Sequence, residues 1–153
     1  MSALGASMKH RLDAVFALAA KQGADEEVLS HWARYLCVLT SGFIEVSLRS
    51  ILSEYAAVRS HPDLTNFVVS RLQRMTNLNE KRVYNLLAAF QPGWAEQFRL
   101  KTTDRQKAAL DSVVANRNQI AHGHSVGLTF ARMKDYYREI VAVLNLIQKE
   151  CVR

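Results

Sequence analysis

Apolar positions in this chain recur every three to four residues and do not alternate, which is the pattern of amphipathic helices rather than strands. Leu12, Val15, Phe16 and Ala19 share one face of a helix predicted over residues 7–21, which stops near Gly23. A long helix follows over about 25–60. Asp25 is its N-cap, and Glu26 and Glu27 suit the positive helix start. From Trp32 to Leu52 this helix is apolar on most sides, so it should be the buried centre of the fold. His61-Pro62 ends it. Further helices are predicted over 63–75 and, capped by Asn79, over 79–90. Pro92-Gly93 reads as a turn, and Trp94 to Leu100 as a short helix or irregular segment. A helix from Asp104 to about His122 precedes Gly123. Thr129 caps the last one, which runs to about Glu150 with Met133, Tyr136, Tyr137, Ile140, Val143, Leu144 and Ile147 at core spacing. Repeats and low-complexity segments are not seen, and the expected fold is an all-α bundle occupying residues 1–153 as one domain.

One position breaks the pattern. On the 104–122 helix, Leu110, Val113, Val114, Ile120 and Ala121 form an apolar arc, and Arg117 falls inside it. A guanidinium there is costly unless it is paired or used. Asn118 and His122 are four residues apart and stack on one side of the helix, flanking Arg117. A permanent cation and a titratable imidazole thus project from a turn and a half, as chemistry on a phosphodiester requires.

Charge changes the picture in the same direction. Twenty Lys and Arg against fourteen Asp and Glu leave a formal charge of +6 and a pI near 9.6, which favours polyanionic partners, nucleic acid first. The two cysteines, Cys37 and Cys151, are far apart and form no C-x-x-C pair, so neither a disulfide framework nor a thiolate metal site is expected. A Gly-rich phosphate loop and metal-ligand spacing are both missing, and no cofactor is expected. Asp13 interrupts the first apolar segment, and no signal-peptide layout or run of about 20 apolar residues stands out. A cytoplasmic location away from the membrane is the expectation.

Arg-x-x-x-x-His near the end of a bundle helix resembles the HEPN superfamily. The longer stretch Asp111-Ser112-Val113-Val114-Ala115-Asn116-Arg117-Asn118-Gln119-Ile120-Ala121-His122-Gly123 looks like the HEPN proteins of the RiboL-PSP type. Ser41-Gly42-Phe43-Ile44-Glu45-Val46-Ser47-Leu48-Arg49 and Asn77-Leu78-Asn79-Glu80-Lys81-Arg82 are similar too, and the resemblance spans roughly residues 25–145. It implies a HEPN-like bundle with a long central helix that dimerises so that two Arg-x4-His motifs face each other. It also implies a metal-independent endoribonuclease in toxin–antitoxin, anti-phage or RNA-processing systems, with an antitoxin or defence protein as a further partner. Other members are non-catalytic modules that bind RNA, a nucleotide or a partner protein. Carried over, Arg117 and His122 are the catalytic pair and Asn118 the accessory polar residue. Some HEPN toxins follow the histidine with x-Tyr, which a partner nucleotidyltransferase modifies. Here that position is His124, so silencing by that route is not expected.

RNA brings its own nucleophile, the 2′-OH. A base must take its proton, and positive donors must stabilise the phosphorane. Histidine titrates near neutral pH and suits the proton transfers, and arginine grips a phosphate oxygen. Two copies across a dimer axis would supply one His as base and one as acid, yielding a 2′,3′-cyclic phosphate and a 5′-OH. Glu45 is the candidate carboxylate for Arg117 or Arg49, and His124 a further contact. Structural readings stand beside these. Arg117 could form a register salt bridge to Glu45 or Asp111, and His122 could be only a helix C-cap. Asn118 could make an interhelical hydrogen bond, Glu45 could pair with Arg49 alone, and His124 could be a plain loop residue. The densest basic run, with Arg99, Lys101, Arg105 and Lys107, is either a solvated face or an RNA backbone track, which Arg71, Arg74, Lys81 and Arg82 could extend. Tyr84, Trp94 and Phe98 lie near these bases in sequence, with Tyr84 and Trp94 at core spacing. His31 and Trp32 read as core or cap, His10 and His61 as surface, and Gly42 as a site of close helix crossing.

Overall fold

The computed structural model describes residues 3–23 and 25–152. The described residues form seven helices: α1 (Ala3–Ala20), α2 (Glu26–Arg59), α3 (Pro62–Leu72), α4 (Glu80–Phe90), α5 (Pro92–Lys101), α6 (Asp104–Ala121) and α7 (Phe130–Val152). No strand occurs among the described residues. This is the all-α, HEPN-like bundle that the periodicity and the resemblance imply.

The capping residues set the boundaries. The Asp25 carboxylate accepts from the amides of Glu27 and Val28 at the head of α2. Asn79 Oδ1 accepts from Arg82 N at 3.0 Å and starts α4, and Thr129 Oγ1 accepts from Arg132 N at 3.2 Å before α7. Thr103 and Gln106 form a reciprocal capping box at the head of α6. Three boundaries differ from expectation. α1 begins at Ala3 rather than Ser7, and α3 ends at Leu72 rather than Met75. Pro92-Gly93 is not a turn. Pro92 opens α5, because a residue without an amide proton fits a first turn whose amides lack helical partners, and Gln91 alone separates α4 from α5.

α2 runs through the centre and packs against α1, α3, α6 and α7. Leu36, Phe43, Leu48 and Leu52 are fully buried on it. By length and composition α2 could cross a membrane, with a mean hydropathy of 1.4 over its most apolar window, but 56% of that window is buried inside the bundle. It has the place of a core helix. Two polar links brace the core. Cys37 Sγ donates to the Val113 carbonyl across α2 and α6 at 3.4 Å, and Tyr137 of α7 donates to Asp13 of α1 at 2.7 Å. Asp13, which looked like an interruption of an apolar helix, is therefore a tether. Partial burial raises its pKa, but hydrogen bonds from Lys9 and Tyr137 outweigh that and hold the carboxyl below its usual value. Both cysteines are buried free thiols.

Gly42 does not mark a close crossing. A methyl group added there would sit 3.8 Å from the tip of Met8, an ordinary contact. Trp94 and Phe98 are core, and Tyr84 is half-buried with its hydroxyl donating to Glu96 at 2.8 Å.

Candidate functional site

The apolar arc of α6 divides along its length. Leu110, Val113 and Val114 are buried in the chain's own core, whereas Ile120 is half-buried and Ala121 exposed. Most of the arc therefore packs inside the chain, and only its last turn reaches past the core. Arg117 sits where burial gives way to exposure and is itself half-buried.

Neither expected carboxylate pairs with Arg117. Glu45 Oε2 faces Arg49 at 3.4 Å, and Glu45 Oε1 accepts the backbone N–H of Asn77 at 2.9 Å. Asp111 Oδ1 accepts the N–H of Glu80 at 2.9 Å, placing a negative charge at the positive start of α4. Arg117 instead donates through Nη1 to two amide oxygens, Asn118 Oδ1 at 3.2 Å and Asn77 Oδ1 at 3.5 Å. These neutral acceptors orient the guanidinium without cancelling its charge. Among the described residues it forms no salt bridge.

Asn77 is the residue that sequence reasoning passed over. It lies in the loop between α3 and α4 with φ of +56°, in the left-handed region that asparagine tolerates better than most residues. Arg49 Nη2 donates to the Met75 carbonyl at 3.4 Å, so Glu45 and Arg49 together pin this loop to α2. The signal was present in the Asn77-Leu78-Asn79 stretch, but nothing local says that the first asparagine faces Arg117.

α6 ends in a Schellman motif. The amide of Gly123 donates to the Ile120 carbonyl at 3.0 Å and that of His124 to the Gln119 carbonyl at 2.9 Å, with Gly123 at φ +76°. His122 is the C-cap, and its own amide bonds the Asn118 carbonyl. The cap is satisfied entirely by backbone. The exposed imidazoles of His122 and His124 form no hydrogen bond or ion pair among the described residues. Asn118 gives its side-chain oxygen to Arg117 and makes no side-chain bond to His122.

The basic run is largely compensated. Arg99 pairs with Glu96 at 2.6 Å, Lys101 with Glu150 at 2.6 Å, and Arg105 with Glu139 at 3.1 Å. Lys107 has no ion pair among the described residues. No three His, Cys, Asp or Glu side chains among them gather closely enough to hold a metal ion.

An all-α bundle with a long central helix, carrying Arg-x4-His at the exposed end of another helix, defines a protein of the HEPN class. A profile of the family described as RiboL-PSP-HEPN matches residues 7–153. The chain belongs to this family. No curated protein and no solved structure matches it. Membership supports a nuclease or RNA-related function in general.

Proposed function

We propose that this chain is a metal-independent endoribonuclease that acts as a homodimer, with Arg117 and His122 of both copies forming one composite site. The carrying observation is the state of Arg117. It is half-buried and oriented by two amide oxygens, with no carboxylate to cancel its charge. A register salt bridge would show the opposite. A guanidinium held in this way is ready for an anion, and a phosphodiester supplies one.

In the reaction, the imidazole of one His122 takes the 2′-OH proton. The 2′-oxygen attacks phosphorus, and both arginines stabilise charge on the non-bridging oxygens. His122 of the second copy gives a proton to the departing 5′-oxygen. The products are a 2′,3′-cyclic phosphate and a 5′-OH. Asn118 and Asn77 are positioning residues for Arg117, and His124 lies one residue beyond the Schellman glycine, near enough in sequence to meet the RNA. The family resemblance extends this reading to a toxin–antitoxin or anti-phage role, with an antitoxin or defence protein as partner, acting in the cytoplasm.

The test is cleavage of mixed RNA by pure protein in excess EDTA. Wild type should cut and leave cyclic phosphate ends. His122→Ala and Arg117→Ala should each lose about a hundredfold or more, the scale of a general acid–base group. Cutting that survives in both variants would remove the site. RNA binding without cutting by folded wild type would assign a non-catalytic binding module.

A further inference from the structure

Between α3 and α4 lies a groove of about 530 Å³, walled by apolar side chains and rimmed by Arg71, Arg74 and Arg82. No carboxylate lines it, and none of the three arginines forms a salt bridge among the described residues. This separates it from the Arg99–Arg105 run, where each of three cations faces a carboxylate. Phe67 stands at its edge, 57% exposed, with the Arg71 guanidinium 5.2 Å from its ring centroid. Thr76 and Asn85 add hydrogen-bonding groups to an otherwise apolar wall.

The groove and the candidate site share the α3–α4 loop. Arg82 Nη1 donates to the Thr76 carbonyl at 2.8 Å, and the next residue, Asn77, accepts from Arg117.

We propose that the α3–α4 groove is a second subsite for single-stranded RNA, holding an unstacked base beside the phosphodiester at Arg117. Phe67 and the Arg71 plane offer the flat aromatic and guanidinium faces on which bases stack. Arg74 and Arg82 face the flanking phosphates, and Asn85 meets a base edge. A second copy of this chain fits less well. A two-fold contact here would set the three guanidiniums against the same three, with no carboxylate between them. The inference rests on the proposed RNA substrate.

The probe is a fluorescein-labelled 2′-O-methyl dodecamer of uridine, which lacks the free 2′-OH and cannot be cut. Its binding to the full chain is read by anisotropy over a range of salt. Phe67→Ala should weaken binding about tenfold with the salt slope unchanged, and Phe67→Trp should restore it. Arg71→Gln with Arg74→Gln should weaken binding and lower the slope by about 0.7 per charge removed. All three side chains are exposed, and circular dichroism checks that each variant is folded. Groove variants that bind like wild type overturn the subsite. If Arg117→Ala still abolishes cutting, the nuclease reading survives that failure. Wild type that neither binds the dodecamer nor cuts RNA overturns both. Phe67-dependent binding of an acidic Glu/Leu helical peptide, with none of the dodecamer, would make the groove a protein dock and overturn the inference.

Discussion

Arg117 sits at a junction that three separate stretches of chain build. Glu45 from α2 holds the amide of Asn77, and Asn77 turns its side-chain oxygen to α6. The left-handed backbone at Asn77 is what lets one residue serve both neighbours. Asn77→Gly keeps that backbone free of strain and removes only the acceptor, so stability should change by less than about 1 kcal/mol while RNA cleavage falls. Asn77→Val forces a β-branched side chain to φ +56° and should cost about 1–3 kcal/mol as well. Thermal unfolding beside the cleavage assay separates the two effects. A Gly variant that cuts at the wild-type rate would show that Arg117 needs no help from Asn77. The sequence singled out Arg117, Asn118 and His122 because they fall within six consecutive positions at one helix end, where spacing fixes direction. It placed Glu45 in the neighbourhood but did not reveal the bridging role of Asn77. A contact forty residues apart depends on how α2, α4 and α6 dock, and no local period encodes that.

At the scale of elements, caps and periodicity placed most helices within a few residues. The exception was the segment around Pro92. Proline followed by glycine signals a turn in most contexts, and α4 ends just before it. The decisive factor is that Trp94, Ala95 and Phe98 are buried on one face of α5, which draws the segment into a helix with Pro92 at its first position. Gly42 is a second case in which context overrules type. It lies within α2, and an added methyl would meet only the flexible end of Met8. Gly42→Ala should therefore stabilise the protein by about 0.5–1 kcal/mol through helix propensity, raising Tm by about 1–4 °C. A lowered Tm would mean that α1 and α2 approach more closely than the 3.8 Å contact allows.

Over the whole molecule, the buried thiols tie stability to alkaline pH. Burial pushes Cys37 up to about 12 from 9.0, and burial with the nearby Glu150 charge does the same for Cys151. The unfolded chain releases these protons near pH 9 and the folded chain near pH 12, so the folded state binds more protons between those values. The contribution is complete below pH 9 and is lost as pH rises towards 12. Burial and the Asp13 carboxylate also raise Tyr137, which acts in the same direction at still higher pH. Urea midpoints should fall between pH 8.5 and 10.5, and the fall should be shallower in Cys37→Ala/Cys151→Ala, although that variant starts lower. An equally steep fall in the variant would exclude the thiols as its source.

The sequence by itself determined most of the helices, the buried centre at α2, the basic charge and the Arg-x4-His pair, because each is written in residue type and short spacing along the chain. Tertiary structure decided which cations keep an uncancelled charge. Arg99, Lys101 and Arg105 met carboxylates on their own or distant helices, whereas Arg117 met two asparagine oxygens and Arg71, Arg74 and Arg82 met an apolar groove. Whether a charge is cancelled depends on what lies within about 4 Å of it, and only the packing of helices brings those atoms together.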